Sequence, residues 1–504
     1  MRTLLGVDIG TTHCKAGLFS LDGSEIEIVT KETLTHYDSD GNAYYKPEEI
    51  WKRITCLMKE ATEKHDQDPM VVGITSMAET GVLVDPSTGL PKSQMIPWFD
   101  KRTVKQAELI GRESDAFSAF QKTGLHNSYK YGLAKLLWLE EKEPGITKGA
   151  VWLSAADYIA YRLTGKMATD YSLAARTFAF RIDNKEWDDP WLRHFGFDPE
   201  LFPTASPSGE AVGNIPTEEF RKIGLAKGTP VAVSGHDHVC AASAVGALNP
   251  GIFFDSIGTA ETLVGTLNEW NLGEKEFRSG LSFGCHVAAG RYFWMGSLPS
   301  SGGSIEWFRK QFSDDVLSYQ EMNRLLEGTD SGPTGILYYP YLSGSGSTHR
   351  HSEASASFVG MNKTHRKGDL LKAVLEGTAF EMESIRRVAE ETVHSRLNEL
   401  IAVGGGTKNR TWMQIKADVS NCTLSIPAYS EATLLGAAVV AGIGCGVYAD
   451  EEEAMTSLRQ SKSVVVRPNL DHHQAYRKMY ETGYKALEEP LFRYFGNLAG
   501  ERNE

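Results

Sequence analysis

Cysteine is scarce in this sequence, and the few cysteines are not arranged in pairs. Six cysteines occur in 504 residues, and no two are spaced as Cys-x-x-Cys. Small secreted proteins that depend on disulfides are far richer in cysteine. The sequence therefore excludes a disulfide framework and predicts reduced thiols in a cytoplasmic protein.

An excess of positive charge is also missing. Lysine and arginine total 52 against 65 aspartates and glutamates, which gives a net charge of −13. Such a chain has no general electrostatic attraction for nucleic acid or anionic lipid. We expect neither as a partner, so an anionic ligand would need a local cluster of hydrogen-bond donors.

Long uninterrupted apolar runs are lacking as well. The N-terminus reaches Asp8 before the core of a signal peptide could form, and four glycines interrupt the most apolar run, residues 432–449. That run is predicted to be a tightly packed core helix rather than a membrane span. With 41% hydrophobic and 23% charged residues, the chain has globular proportions, and its length allows two or three domains.

Strand and helix patterns alternate from the N-terminus. The opening residues 4–20 predict two strands joined by a Gly-Thr-Thr turn, and Asp22-Gly23 predicts a second turn into a third strand. Apolar residues then recur at helical spacing over residues 47–64, before the short strand-like run VVGIT. This order predicts an α/β sheet.

The opening pattern recurs halfway along the chain. Residues 251–267 repeat the order of apolar run, Ile-Gly-Thr and second apolar run that surrounds Ile9-Gly10-Thr11. A duplicated lobe is the economical interpretation, with two similar sheets facing each other across a cleft. Chance agreement between two short turns is the alternative.

Both turns have the features of phosphate-binding turns. Glycine lets a backbone approach a ligand closely, and the hydroxyls and N–H groups of Thr11 and Thr12 can point at phosphate. Asp8, just before the first turn, could hold a divalent cation through water. An ordinary tight turn is the alternative, and the second copy at Gly258-Thr259 favours the functional interpretation.

Three consecutive glycines, Gly404 to Gly406, connect a predicted strand to a predicted helix that begins near Arg410. This arrangement gives close backbone approach and unpaired donors at a helix N-terminus. The segment is neither a Walker A loop nor a G-x-G-x-x-G fingerprint. We favour nucleotide binding over a plain connection, which rarely needs three glycines.

Asp237 lies between His236 and His238, directly after a predicted buried strand. Active-site groups often stand at such strand ends, where Asp237 could accept a hydroxyl proton and the histidines could bind a polyhydroxy ligand. A zinc site for metal-dependent hydrolysis is the alternative. Zinc needs three or four ligands, and no further ligand pattern supports it.

Glu79 and Trp98 also follow predicted strands. A carboxylate that accepts hydroxyl hydrogen bonds and an aromatic ring that covers an apolar face together suit sugar recognition. A surface acid and a core tryptophan are the alternative.

Three further segments resemble the FGGY carbohydrate kinases, a branch of the actin, Hsp70 and hexokinase superfamily. The most specific comprises residues 356–361 (ASFVGM) and, seven residues later, 369–376 (DLLKAVLE). Residues 134–139 are similar to the Lys-x-x-Trp element of the family, and residues 163–172 to its Leu-Thr-Gly and Asp-x-Ser segment. The resemblance extends from Val7 to about Gly446.

The resemblance implies an α/β fold with two RNase H-like lobes, the actin-like ATPase fold, around an interlobe cleft. It implies residues 1–246 as the lobe that binds sugar and carries the catalytic base, and residues 247–504 as the nucleotide lobe. The implied roles are these: Asp237 as base; Asp8 with Asp237 near Mg²⁺; Thr11, Thr12, His13 and Lys15 in the first phosphate turn; Thr259 in the second; Gly302, Glu306, Gly405 and Asn409 along the nucleotide; and Glu79, Trp98, His236 and His238 at the substrate.

The implied function is ATP-dependent phosphorylation of a hydroxyl group of a ketose or polyol, with Mg²⁺, in carbohydrate metabolism. A nucleotide-switched binding protein on the same scaffold is the alternative, and a homodimer is expected only as the commonest assembly. Glycerol kinases have Arg-Glu at Ala78-Glu79 and Gln at His238, and xylulokinases have Met-His and Asp-Asn at these places, so neither substrate is assigned. Lys130 falls where a glycerol kinase has a substrate-contacting tyrosine and receives no role.

Overall fold

Two twisted β-sheets, one in each half of the chain, organise the structure, a computed structural model that describes residues 2–65, 68–458 and 463–502. The strands of the first half are β1 (Thr3–Ile9), β2 (His13–Ser20), β3 (Glu25–Glu32), β4 (His36–Tyr37), β5 (Ala43–Tyr44), β6 (Val72–Ser76), β7 (Gly81–Val84), β8 (Val151–Ser154), β9 (Ala168–Asp170), β10 (Phe180–Arg181), β11 (Glu186–Trp187), β12 (Thr204–Ser206), β13 (Ala211–Asn214) and β14 (Pro230–His236). Its helices are α1 (Pro47–Thr62), α2 (Val104–Glu113), α3 (Ala116–Thr123), α4 (Gly132–Lys142), α5 (Ala155–Thr164), α6 (Tyr171–Ala174), α7 (Asp189–His194) and α8 (Asp237–Ala244).

The first sheet has the strand order β13-β14-β6-β1-β2-β3. Strand β1 pairs antiparallel with β2, as the predicted hairpin requires, and parallel with β6, which in turn pairs parallel with β14. Every residue of β1 and β6 is buried, as is typical of central parallel strands covered on both faces. Because these three strands run in one direction, the residues that follow them meet at one edge of the sheet.

The second half repeats this plan. Its strands are β15 (Ile252–Ile257), β16 (Glu261–Leu267), β17 (Ser282–Cys285), β18 (Tyr292–Leu298), β19 (Leu337–Tyr339), β20 (Ser357–Val359), β21 (Glu399–Val403), β22 (Thr423–Ile426) and β23 (Val464–Val466). Its helices are α9 (Glu274–Arg278), α10 (Gly302–Gln311), α11 (Tyr319–Glu327), α12 (Lys367–Val393), α13 (Arg410–Ser420), α14 (Ala432–Gly444), α15 (Glu451–Ser457), α16 (Leu470–Met479) and α17 (Lys485–Arg502).

The second sheet has the order β17-β18-β16-β15-β21-β22-β23. Strand β15 pairs antiparallel with β16 and parallel with β21, just as β1 pairs with β2 and β6. Both Ile-Gly-Thr turns therefore join the same two strands of equivalent sheets. The predicted two-lobed α/β fold and its duplicated lobes are confirmed.

Helix α14 is the predicted core helix, and it packs on the first sheet although it belongs to the second half of the chain. A Cβ atom on Gly6 or Gly73 would lie 2.2 or 2.0 Å from a main-chain oxygen of α14. Gly436 of α14 lies equally close to α8, where a Cβ would be 2.1 Å from the Cys240 carbonyl oxygen. Glycine at these positions lets α14 contact both the sheet and α8 at backbone distance. The domain boundary after residue 246 stays a prediction.

The C-terminal helices α16 and α17, with residues 480–484 between them, place part of their aromatic side chains in a core. Tyr476 and Tyr484 lie in the core of the second lobe with 1% and 0% of their surfaces exposed. Their rings pack near Phe380 of α12. The buried side of residues 476–484 is formed by tyrosines at helical spacing and not by aliphatic residues.

The segment with the most specific family resemblance is structural. Lys372 of α12 donates hydrogen bonds to the carbonyl oxygens of Asp330 and Gly332. Glu376, one turn later, accepts hydrogen bonds from the backbone N–H and hydroxyl of Thr334, and from the hydroxyl of Tyr476 at 3.0 Å. The two side chains therefore hold the loop before β19 against α12.

Replacing Glu376 by Gln is expected to change how stability depends on pH. Burial raises the pKa of Glu376 to about 7 from 4.5, although Thr334 and Lys372 lower it. The folded protein thus retains a proton that the unfolded chain releases, and the wild type loses stability as pH rises from 4.5 to 7. The difference in free energy of unfolding between Glu376→Gln and the wild type should therefore shift by about 3 kcal/mol in favour of the variant between pH 4.5 and pH 8.

Thermal and urea unfolding at pH 5, 6, 7 and 8 measures this difference. Glu452→Gln, on an exposed position of α15, is the matched control and should follow the wild-type profile. Parallel pH profiles for wild type and Glu376→Gln would contradict a retained proton.

None of the helices in the described ranges is both long and apolar enough to cross a membrane.

Candidate active site

Asp237 occupies the point where β14 ends and α8 begins, at the carboxyl edge of the first sheet. Its Oδ1 atom lies 2.8 Å from His236 Nδ1 and accepts a hydrogen bond from the His238 backbone N–H at 2.8 Å. Burial raises the pKa of Asp237, but His238 and His236 outweigh burial and hold it below the ordinary value. The carboxylate is therefore ionised at neutral pH and able to accept a proton.

A buried scaffold fixes the backbone before Asp237. The His236 N–H donates to Ser172 Oγ at 2.9 Å, and Ser172 Oγ donates to Asp170 Oδ2 at 2.6 Å. Gly235 has φ +106°, and a Cβ there would lie 2.3 Å from Ser172 Oγ. The Asp-x-Ser segment found in the sequence thus fixes the backbone that carries the candidate base Asp237.

Asp8, the last acidic residue of β1, is buried beside Asp237. Its Oδ1 has no hydrogen-bond partner, and burial together with the charge of Asp237 raises the pKa of Asp8 to about 8. A divalent cation would relieve both the unpaired oxygen and the repulsion, so the two carboxylates fit Mg²⁺.

A closed metal site of protein ligands alone is not present in the described part of the chain. No group of three or more His, Cys, Asp or Glu side chains there could hold a metal ion. The zinc-hydrolysis alternative therefore gains no support from the structure. Mg²⁺ usually takes only one or two carboxylates and completes its shell with water and phosphate oxygens.

The first turn, predicted to bind phosphate, contacts Trp98, which is predicted to bind the substrate. Thr11 Oγ1 accepts a hydrogen bond from Trp98 Nε1 at 2.9 Å. Thr12 and His13 are exposed at the tip of the turn. Lys15, on β2, forms an ion pair of 2.6 Å with Glu431, the residue before α14.

The second turn lies against the start of α10. The N–H groups of Gly302 and Gly303 donate to the carbonyl oxygens of Gly258 and Thr259 at 3.1 and 2.9 Å. A Cβ on Gly302 would lie 2.4 Å from the Gly258 carbonyl oxygen, so this glycine lets the helix approach the turn. Thr259 itself is exposed.

The glycine run approaches the same turn from the other side. Gly404 has φ +95°, and a Cβ on it would lie 2.6 Å from the Ile257 carbonyl oxygen. Gly405 has open space beside it, whereas Gly406 packs on the Ile257 side chain. Two of the three glycines therefore serve packing, and Gly405 is the one that faces free space.

Two residues predicted along the nucleotide already make contacts within the chain. Asn409 caps α13 by accepting a hydrogen bond from the Trp412 N–H at 3.0 Å. Glu306 forms an ion pair of 2.7 Å with Arg309 and accepts a hydrogen bond from the Tyr319 hydroxyl. Their roles toward a nucleotide stay predictions.

Glu79 lies at the first lobe's side of the cleft, where its carboxylate meets two cations. Arg176 donates to Oε1 from Nε at 3.0 Å and from Nη2 at 2.6 Å, and Lys130 Nζ is 3.5 Å from the same oxygen. Burial raises the pKa of Glu79, but Arg176, Lys130 and His236 hold it well below the ordinary value. His236, whose charge lowers the pKa of Glu79, directly precedes the candidate base in the sequence.

The backbone of Glu79 is also fixed by a buried lysine. Glu79 has φ +59°, which is uncommon for a residue with a side chain. The fully buried Lys135 donates hydrogen bonds to the carbonyl oxygens of Glu79 and, at 3.1 Å, of Ile96. Lys135 belongs to the Lys-x-x-Trp element, which therefore fixes the segment that carries Glu79.

The sequence reasoning identified Asp8, Asp237 and Glu79, which the structure brings together, and it missed Arg176 and Lys135. It also left Lys130 without a role, although this side chain reaches Glu79. Arg176 lies just after the Asp-x-Ser segment, and that position was the one signal that could have pointed to it.

Comparison with known proteins agrees with this geometry. The N-terminal domain model of the FGGY family of carbohydrate kinases matches residues 3–245, and the C-terminal domain model matches residues 256–445. The chain is 28% identical over 489 residues to a xylulose kinase of Bacillus subtilis, which covers 95% of this chain and 96% of that protein. It is 31% identical over 465 residues to a glycerol kinase of Nitratidesulfovibrio vulgaris, with 90% and 92% covered. The crystal structure of a gluconate kinase from Lactobacillus acidophilus superposes with a TM-score of 0.90 at 22% identity, covering 99% of both chains.

Proposed function

This chain belongs to the FGGY family of carbohydrate kinases and phosphorylates a hydroxyl group of a sugar or polyol with ATP and Mg²⁺, and we propose that Asp237 is the base of this reaction. The substrate hydroxyl approaches Asp237 from the side of Glu79 and Trp98. The nucleotide lies along the second lobe, between the two Ile-Gly-Thr turns.

One observation carries the proposal. Asp237 is a part-buried carboxylate at the carboxyl edge of the first sheet, where β14 ends, and the two flanking histidines hold its pKa below the ordinary value. General bases work when they are deprotonated and within reach of the proton that they remove. A switch protein that only binds nucleotide has no need for this acceptor.

The proposed step transfers one phosphoryl group. The substrate oxygen forms a bond to the γ-phosphorus, the bond between that phosphorus and the β–γ bridging oxygen breaks, and ADP leaves. Asp237 takes the hydroxyl proton as the new bond forms. Asp8 and Asp237 would hold Mg²⁺, which would supply positive charge to the phosphate oxygens.

The two turns are proposed to hold the transferring group. Thr11, Thr12 and Thr259 offer hydroxyl and backbone donors from opposite lobes. Such fixed donors stabilise charge that develops on the phosphoryl oxygens. His13 and Lys15 add donors to the first turn, and Gly405 and Asn409 border the nucleotide.

On the sugar side, we propose that four side chains bind the substrate. Glu79 accepts hydroxyl hydrogen bonds, and Trp98 covers an apolar face of the substrate while its indole N–H holds Thr11. His236 and His238 flank the base, and burial lowers the pKa of His238, so its neutral ring can hydrogen-bond a hydroxyl. We also propose a homodimer, which light scattering would test, and the cytoplasmic location stays a prediction.

The experiment is a coupled assay of ADP release with MgATP over pentuloses, hexuloses, polyols and sugar acids. At least one compound should stimulate ADP release well above a control without sugar. ATP binding without stimulation by any compound would contradict the proposed roles of Asp237 and Glu79 and favour the switch protein.

A further inference from the structure

The sugar side of the site carries more positive charge than its own carboxylate can balance. Arg176 and Lys130 both lie against the single oxygen Oε1 of Glu79, at 2.6 and 3.5 Å. One carboxylate thus faces two cations, and the side chain of Glu79 is only 8% exposed. Asp237 supplies a second negative charge near Arg176, so it is a third cation, Arg350, that leaves the cluster with a net positive charge. Net positive charge in a partly desolvated site favours an anionic ligand.

Part of this cluster lacks a hydrogen-bond partner. Arg176 is 2% exposed and uses Nε and Nη2 on Glu79, and its Nη1 has no partner. The Tyr131 hydroxyl is likewise buried without a partner. Buried donors are almost always paired in folded proteins, so two unpaired donors in a substrate cleft indicate groups kept for a ligand.

These two donors and Lys130 lie around one ring. The Tyr131 ring is 5.5 Å from both the Lys130 Nζ and the Arg176 guanidinium carbon. Tyr131 stacks on Phe178 with ring centroids 5.7 Å apart, which holds the ring and its hydroxyl in place. The two cations therefore lie next to the aromatic ring that carries the unpaired hydroxyl.

The third cation, Arg350, acts electrostatically on this group from the second half of the chain. Arg350 follows β19 in an exposed loop, and one guanidinium nitrogen is 3.5 Å from the Gly280 carbonyl oxygen. Desolvation of its guanidinium and the charge of Arg176 lower the pKa of Arg350, whereas Tyr131 raises it. Within the described ranges, no carboxylate lies at ion-pair distance from Arg350.

We propose that the substrate of this kinase carries a carboxylate in addition to the hydroxyl that is phosphorylated, and that Lys130, Arg350, Arg176 Nη1 and the Tyr131 hydroxyl bind it. The substrate class is then the sugar acids rather than neutral ketoses or polyols. This inference rests on the proposed function, because it concerns the same cleft. Arginine and lysine together suit this task, since guanidinium groups match the geometry of a carboxylate and the ammonium adds a point charge.

The first test compares each sugar acid with the polyol that has the same stereocentres. D-Gluconate, D-mannonate, D-galactonate and D-xylonate are assayed against D-glucitol, D-mannitol, galactitol and xylitol, with ketoses alongside. At least one acid should be phosphorylated with a kcat/KM about 10–100-fold above that of its polyol. This factor corresponds to the free energy that hydrogen bonds to a charged group contribute to binding. A neutral compound as the best substrate would overturn the inference and leave the kinase function standing. No stimulation by any compound would count against both.

The second test uses variants of the cation cluster. Lys130→Met and Arg350→Gln should each lower kcat/KM for the acid by about 10–100-fold, mainly through KM, and lower kcat/KM for the polyol by a clearly smaller factor. Lys130→Arg should keep most of the activity with the acid. Lys363→Met and Arg324→Gln, both exposed and distant from Glu79, are the matched controls.

Equal losses for acid and polyol would overturn the inference, because a general positioning role affects both substrates alike. Arg350→Gln keeps the test valid if Lys130→Met fails to fold, since Arg350 lies in an exposed loop. The KM for MgATP should stay unchanged in every variant.

Discussion

Replacing Asp237 by Asn is expected to lower kcat by about 10²–10⁴-fold and to leave the fold intact. Asparagine has the shape of aspartate, and its amide oxygen can still accept the hydrogen bond from the His238 N–H that Oδ1 accepts now. It cannot take up the hydroxyl proton. The loss should therefore fall on the chemical step rather than on substrate binding.

Steady-state kinetics with the best substrate of the panel measures this effect. Thermal unfolding and ATP binding, measured on the same preparation, report whether the fold and the nucleotide site survive. Asp314→Asn, on an exposed segment of the second lobe, is the matched control and should behave as wild type. A kcat for Asp237→Asn within tenfold of wild type would show that another group accepts the proton.

The fold could be predicted because its main signals are local and occur twice. Each Ile-Gly-Thr turn stands between two apolar runs, and each run becomes a strand with the same partners in its sheet. Asp8, Glu79 and Asp237 could be proposed for a related reason, since each lies near or just after the end of a strand. Polar residues at strand ends are visible without knowledge of distant contacts.

The rest of the site depends on contacts between distant parts of the chain. Arg176 contacts Glu79 although the two residues are 97 positions apart in the sequence, and Lys135, 56 positions from Glu79, donates to its carbonyl oxygen. Neither Arg176 nor Lys135 has a local sequence pattern that predicts this contact. The glycine run illustrates a different limit. Gly404 and Gly406 are required by the approach of Ile257, which only the folded structure shows.

Replacing Lys416 by Met is expected to destabilise the second lobe by about 3–5 kcal/mol. Lys416 of α13 lies 3.1 Å from Asp255 Oδ2 and 2.5 Å from Glu261 Oε1, and all three side chains are fully buried. Without the ammonium group, two carboxylates remain buried with no opposite charge. Burial and Glu261 already raise the pKa of Asp255 to about 8, so the remaining acids would be forced toward the protonated form.

This triad also bears on the site, because its acids stand on both sides of the second turn. Asp255 precedes the turn on β15, Glu261 follows it on β16, and Ser301 donates to Glu261 at 2.5 Å just before α10. Loss of Lys416 should therefore raise the KM for MgATP as well as lower stability. Hydrogen exchange at residues 252–267 would show whether the turn loosens.

A triple variant, Lys416→Met with Asp255→Asn and Glu261→Gln, separates charge from packing. Because replacing every charge of a buried ion pair avoids leaving one uncompensated, the triple variant should recover most of the stability that Lys416→Met loses. Lys310→Met, on the surface of α10, is the matched control for lysine removal. A Lys416→Met protein as stable as wild type would contradict this prediction. It would mean that water or another cation compensates the two acids although all three side chains are fully buried here.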